Sequence, residues 1–314
     1  MLSFRIFEGG KAEWDKFNDA NNPFPFFHSW DWLALLEKHS EAQLKKYCAC
    51  EGSELAAVFP VFEFKKIGRF GFSPPPGLMT PYGGPVGSSR AANFLVEQMK
   101  KRIAFLRFSC VPRNEFDFGR KKIFSTFILS LGGGEQLLWQ NLDKKTRNLV
   151  RFAQKQDQRV VEGGEKELEV YLEMLAETYK SAGLGKPSNE FIRSAFKSFS
   201  GDGRMKLFVA EKDGELGAGA LFLYGNRKMY YFSGASFRRL RYLKQNNLVQ
   251  WHAIVEASRN GLEEYDLMGA NTPGVREFKE GWGGKEERYF LFEFGTAPVK
   301  AAIKGITLVR NLVR

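Results

Sequence analysis

Three strand-like runs follow one another at residues 205–210, 215–224 and 228–233, joined by tight turns at Asp213-Gly214 and Gly225-Asn226. Short turn dipeptides of this kind between apolar runs favour hairpin connections, so the three runs read as an antiparallel meander. Helical patterns at 135–158, 166–180 and 189–199 precede it, and one at 247–260 follows, with Leu248, Trp251 and Val255 facing inward. The first half has a comparable order. A strand at 2–7 leads to a helix capped by Ser29, with Trp32, Leu33 and Leu36 on one face. Strands at 45–51, 55–64 and 69–72, an amphipathic segment at 88–101 and strands at 103–108 and 124–130 complete it. The class is α+β, each half a mixed, mainly antiparallel sheet flanked by helices, and the shared order implies an internal duplication without a residue-level repeat. With 314 residues two domains are expected, at 1–134 and 135–297, followed by a basic amphipathic helix at 298–314.

Residues 265–292, YDLMGANTPGVREFKEGWGGKEERYFLF, are the stretch most suggestive of chemistry. Tyr265-Asp266-Leu267-Met268 reads as a buried strand, 269–274 as a turn, and 275–280 as a short helix bearing Phe278-Lys279. Gly281-Trp282-Gly283-Gly284 breaks that helix before an aromatic-rich strand returns. This is a plausible active-site edge. The bland alternative is a surface turn with a solvated lysine.

A formal net charge of +11 implies an anionic partner: nucleic acid, a phosphorylated substrate or an acidic membrane face. Lys144, Arg147, Arg151 and Lys155 recur at helical spacing and form a basic stripe, which fits phosphate binding or an ordinary solvated face. Residues 73–87 hold five prolines and four glycines, a rigid loop that either lines a groove or connects two elements. Three cysteines, Cys48, Cys50 and Cys110, suit a reducing compartment. Cys48 and Cys50, in a strand-like run, are expected to point to opposite faces, poorly placed for a shared metal. No metal site and no cofactor are expected, and His28, His39 and His252 read as isolated structural or surface histidines. The opening MLSFRIFEGG has no basic segment followed by an apolar core, so a cytoplasmic protein is expected. The basic face of 298–314 either touches an acidic membrane or, the favoured reading, packs back on its own domain.

In order and spacing the chain resembles the FemA/FemB/FemX (FemABX) aminoacyltransferases, which have a GNAT-like fold taken twice. The resemblance is carried by Phe26-Phe27-His28-Ser29-Trp30-Asp31-Trp32, Gly83-Gly84-Pro85, Lys144-Lys145-Thr146-Arg147, Tyr230-Tyr231-Phe232-Ser233-Gly234, Tyr265-Asp266-Leu267-Met268-Gly269 and Phe278-Lys279. It implies transfer of an aminoacyl group from aminoacyl-tRNA to an amine of a cytoplasmic peptidoglycan precursor or related acceptor; separately, a monomer is expected. It implies Lys279 beside the transferring carbonyl, with Phe278 next to it. Aminolysis of an activated ester needs no protein nucleophile, but its tetrahedral oxyanion benefits from an ammonium. The substrate-binding candidates are Lys186, Tyr231, Ser109, Lys38 and Asn271. Lys144, Arg147, Arg151, Arg238, Arg239 and Arg241 are the candidates for tRNA or phosphate.

Several positions depart from the family pattern. Lys186 stands where the family has a phosphate-holding arginine, losing the bidentate fork. Glu190 and Ser233 replace tyrosines, Ser109 replaces an aspartate, Lys38 sits a turn beyond an expected lysine, and the coiled-coil arm is absent. Two other functions remain open. One is an acyl-CoA-dependent N-acyltransferase, although 238–246 has four cations and none of the glycines a backbone phosphate cradle uses. The other is a non-catalytic binder of tRNA or another polyanion.

Overall fold

Capping residues set the helix starts throughout the chain. Ser29, Ser88, Asp143 and Ser188 each accept a hydrogen bond from the backbone N–H three residues on. The computed structural model describes residues 1–64, 69–113, 116–119, 121–183, 185 and 187–299. It divides into two compact units, residues 1–124 with 288–314, and residues 125–287.

The first unit begins with β1 (Leu2–Ile6), α1 (Lys11–Asn21) and α2 (Trp30–His39), then β2 (Gln43–Glu51), β3 (Glu54–Phe64) and β4 (Phe70–Ser73). The short β5 (Val86–Gly87), α3 (Ser89–Lys100) and β6 (Phe105–Ser109) follow. The chain passes to the second unit within β7 (Lys121–Ser130). There it forms α4 (Gly134–Asn141), α5 (Lys144–Gln154), β8 (Arg159–Gly163), α6 (Glu165–Ser181) and α7 (Asn189–Phe199). The meander β9 (Met205–Lys212), β10 (Glu215–Gly225) and β11 (Lys228–Ser236) comes next, then α8 (Gln245–Arg259), β12 (Glu264–Asp266) and α9 (Pro273–Glu280). β13 (Lys285–Gly295) carries the chain back to the first unit.

Each unit repeats one pairing pattern. In the first, β1-β2-β3-β4 are antiparallel, β4 pairs parallel with β6, and β6 pairs antiparallel with β13. In the second, β8-β9-β10-β11 are antiparallel, β11 pairs parallel with β12, and β12 pairs antiparallel with β7. The last strand of each sheet therefore comes from the part of the sequence assigned to the other half. That is why the compact units change over at 124/125 and 287/288, where the element order drew boundaries at 134 and 297.

Phe59, Leu95, Val96, Phe108 and Phe292 centre the core of the first unit. Val150, Phe222, Ile254, Leu267 and Trp282 centre that of the second. In the loop after β4, Gly83 packs so closely that a Cβ there would lie 2.4 Å from the Ser73 carbonyl. Its N–H donates to the Ser109 carbonyl at 3.0 Å, and the Gly84 N–H to Ser73 Oγ at 3.0 Å. The proline-rich loop is thus pinned to β4 and β6.

Four sequence expectations need correction. The helix at 135–158 is two helices, because Asp143 stops α4 and caps α5. The helix α1 and the strand β8 were not anticipated. The sulfurs of Cys48 and Cys50 lie 3.9 Å apart, since residues i and i+2 of a strand share a face. Among the described residues no helix is long and apolar enough to cross a membrane. Residues 300–314, most of the expected terminal helix, lie outside the described residues.

Candidate functional site around Lys279

The second unit places its lysine where two parallel strands part. β11 and β12 pair over only three positions, ending at Tyr230↔Asp266. β11 continues to Ser236 with a register shift at Phe232, where a bulge re-aims the flanking side chains. Beyond β12 the chain stays tied to β7: the Leu267 N–H donates to the Phe127 carbonyl at 2.9 Å and the Ala270 N–H to the Ser125 carbonyl at 2.7 Å.

Lys279 enters from the last turn of α9 and is 6% exposed. Its Nζ donates to the carbonyls of Met268 at 2.7 Å and Gly269 at 2.9 Å. It lies 5.4 Å from the centre of the Tyr231 ring, a cation–π distance. Burial pushes the Lys279 ammonium down to about 8, and the negative Asp266 opposes that fall. Two of the three ammonium protons are spent on carbonyls, and the third has no hydrogen-bond partner among the described residues. A weakly solvated cation with one proton to offer is suited to a developing oxyanion.

Tyr231 is held tightly. Its hydroxyl lies over Gly234, where a Cβ would be 1.9 Å away, and burial pushes the phenol up to about 12. Ser233 hydrogen-bonds the buried Tyr171 hydroxyl. The Tyr265 hydroxyl donates to Gln250 Oε1 at 2.6 Å, extending the polar interior. Phe278 is half-buried and meets Trp282 edge-on at 5.9 Å. Asn271 is exposed, and its Oδ1 accepts the Ser125 N–H at 3.0 Å, so it fastens the loop.

The other expected contacts separate into distinct places. In the basic stripe Lys144, Arg151 and Lys155 are exposed, Arg151 lying 5.2 Å over the Trp139 ring. Arg147 instead donates to the Gln140 and Leu142 carbonyls at the end of α4, a structural use. Arg238 and Arg241 are exposed, while Arg239 is ion-paired with Glu215. They precede α8, whose start is set by Lys244 at φ +57°. Gln245, 2% exposed, opens that helix with neither side-chain amide atom hydrogen-bonded.

In the first unit, Ser109 lines a cavity of about 270 Å³ walled by Phe72, Pro74, Pro75, Phe124 and Tyr289. Its hydroxyl donates to the Pro81 carbonyl at 2.5 Å. Lys38 is exposed on α2. Lys186 lies outside the described residues. His28 is fully buried, receiving Asn22 Nδ2 at Nδ1 (3.1 Å) and donating from Nε2 to the Gly84 carbonyl (3.0 Å). Burial lowers it to about 4, which keeps it neutral and structural.

Gln245, Gln250 and Tyr171 carry no local signal in the sequence, and Asp266 shows there only as part of a buried strand. Asp266 was legible in principle, since an aspartate two residues before a turn position, next to a glycine, has the spacing of an Asx turn.

Residues 140–280 match the family model of an acetyltransferase (GNAT) domain. FemX superposes with a TM-score of 0.68 at 15% identity, covering 91% of this chain and 96% of its own. The C-terminal domain of a candidate lysylphosphatidylglycerol synthetase from Agrobacterium fabrum has a TM-score of 0.57 at 13% identity, covering 96% of this chain and 98% of its own. A tandem GNAT protein from the clavulanic acid biosynthesis pathway has a TM-score of 0.53 at 10% identity, covering 95% of this chain and all of its own, 100%. The fold is two tandem GNAT-like units. No curated protein matches the chain. At these identities the likeness carries the GNAT fold alone.

Proposed function

We propose that this GNAT-fold protein is an aminoacyltransferase that moves an aminoacyl group from aminoacyl-tRNA to an amine of a peptidoglycan precursor or related acceptor. The observation that carries the reading is the buried Lys279 ammonium, held by two carbonyls with one N–H left to give. In the reaction the acceptor nitrogen attacks the ester carbonyl carbon, and the carbonyl oxygen becomes an oxyanion that the third Lys279 N–H stabilises. The C–O bond to the tRNA ribose then breaks, the departing oxygen takes up a proton, and the amine nitrogen loses one. Each such hydrogen bond in a dry site contributes about 3–4 kcal/mol to the transition state. Tyr231 positions the ammonium through its ring face.

The exposed cations Lys144, Arg151, Lys155, Arg238 and Arg241 suit a polyphosphate donor, whose binding weakens as salt rises. The ordered FemABX resemblance and the lysyl group in the name of the Agrobacterium fabrum neighbour favour an aminoacyl group. A second reading, an acyl-CoA donor, is favoured by the acetyltransferase match and by the unbonded Gln245 amide at the start of α8. Parallel assays with charged tRNA and with acetyl-CoA, each with an amine acceptor, separate the two. Turnover with charged tRNA that is lost in Lys279→Ala supports the proposal. Turnover only with acetyl-CoA replaces it by the second reading.

A further inference from the structure

We propose that Asp266 is the positioning residue of the Lys279 site, fixing through a backbone turn the two carbonyls that hold the ammonium. The inference rests on the transfer role given to Lys279 above. Asp266 ends β12 and is fully buried. Its Oδ1 accepts two hydrogen bonds, from Thr126 Oγ at 2.5 Å and from the Met268 N–H at 2.7 Å. The second bond reaches two residues along the chain, as an aspartate does when it mimics a backbone turn. Met268 adopts φ +55°, a left-handed conformation disfavoured for a residue with a Cβ. Turned this way, Met268 and Gly269 direct their carbonyls at Lys279 Nζ. Those bonds join positions 11 and 10 residues apart, so the turn and α9 are locked to each other through the ammonium.

The Thr126 bond reaches much further along the chain, across 140 residues, and anchors the carboxylate to β7. Asp266 thus ties β7, the turn and α9 into one rigid frame around a single cation. The same carboxylate supplies the negative charge that opposes the desolvation of Lys279. The Tyr231 ring on β11 also faces the ammonium, and the Tyr265 phenol on β12 interacts with Tyr231 and with Asp266 itself. On α9 itself, Glu277 is paired with Lys145 of α5, and Glu280 is exposed.

Geometry and charge are separable by substitution. Asp266→Asn keeps an acceptor oxygen of the same size and removes the charge. Thr126→Val keeps the charge and removes one anchor. The test is competitive labelling of the amines of the full chain with acetic anhydride from pH 6 to 11, with Lys279 followed by mass spectrometry. It needs no substrate and no turnover. Loss of the carboxylate is expected to move the Lys279 labelling midpoint down by about one pH unit in Asp266→Asn, the lower end of the effect of one nearby opposite charge. The alkaline limb of the transfer rate is expected to move with it, with KM for donor and acceptor changed less than about twofold. Thr126→Val is expected to leave the midpoint in place and lower kcat about tenfold, the effect of loosened positioning. An unchanged midpoint in Asp266→Asn, or wild-type kcat in Thr126→Val while transfer is measurable, overturns the proposal. If no donor supports transfer yet the midpoint moves, the assigned reaction fails while the positioning of Lys279 by Asp266 stands.

Discussion

The ammonium of Lys279 donates at 2.7 Å to the carbonyl of Met268, a residue turned to φ +55°. A buried cation is costly unless it is paired or hydrogen-bonded. Here backbone carbonyls satisfy it in part, Asp266 supplies opposite charge, and the third proton has no hydrogen-bond partner among the described residues.

Lys279 should dominate turnover. Lys279→Met keeps an apolar body of similar length and removes the donor. It is expected to lower kcat by about 10²–10³-fold, the cost of one lost oxyanion donor. The far-ultraviolet circular dichroism spectrum is expected to be retained. Steady-state kinetics beside that spectrum check the prediction, and a fall in folding alone contradicts it.

The same lysine gives a pH signature in stability. Its folded value of about 8 lies below the usual 10.5, so the unfolded chain binds more protons between those two pH values. The destabilisation is full below pH 8 and is relieved as pH rises from 8 to 10.5. Relative to Lys279→Met, the wild type is therefore expected to gain about 2–3 kcal/mol between pH 7 and pH 10.5, as such a shift implies. Urea unfolding of both proteins at the two pH values measures the difference.

His28 predicts the acid side. Burial holds it at about 4 against an ordinary 6.5, so its neutral form is favoured by folding. That contribution is complete above pH 6.5 and is lost as pH falls through 4. Replacing the ring by glutamine in His28→Gln is expected to flatten the stability profile between pH 6.5 and pH 4, at some cost in stability at pH 7. Thermal unfolding across that window tests it.

Gly83 gives a purely steric prediction. Its added Cβ would meet backbone atoms of Ser73 and Pro74 at 2.4–2.6 Å, and backbone cannot swing aside. Gly83→Ala is expected to destabilise by about 2 kcal/mol or more. Gly201→Ala, in an exposed turn with nothing within 4 Å of the added Cβ, is expected to stay within about 0.5 kcal/mol. Equilibrium unfolding of the two variants makes the comparison.

Local signals recovered much of this. Turn dipeptides fixed the meander β9–β11, Ser29 marked the start of α2, and the glycine break after Glu280 isolated the helix that carries Phe278 and Lys279. What stayed hidden is non-local. The pairing of β7 with β12 and of β13 with β6 joins segments more than a hundred residues apart, which periodicity does not report. The role of Asp266 depends on Thr126, 140 residues away, and Arg147 was readable as a cation but not as a partner of the α4 carbonyls. The five-residue β8, with only partial burial, has too short a pattern to distinguish from a loop.

The most direct test of the central claim is transfer of a radiolabelled amino acid from charged tRNA to a peptidoglycan-precursor mixture, with wild type and Lys279→Ala side by side. The account predicts label moving to the precursor with the wild type and loss of at least about 99% of that rate in the variant, the scale of a lost oxyanion donor. Equal transfer by the two proteins, or transfer only when acetyl-CoA replaces charged tRNA, would contradict it.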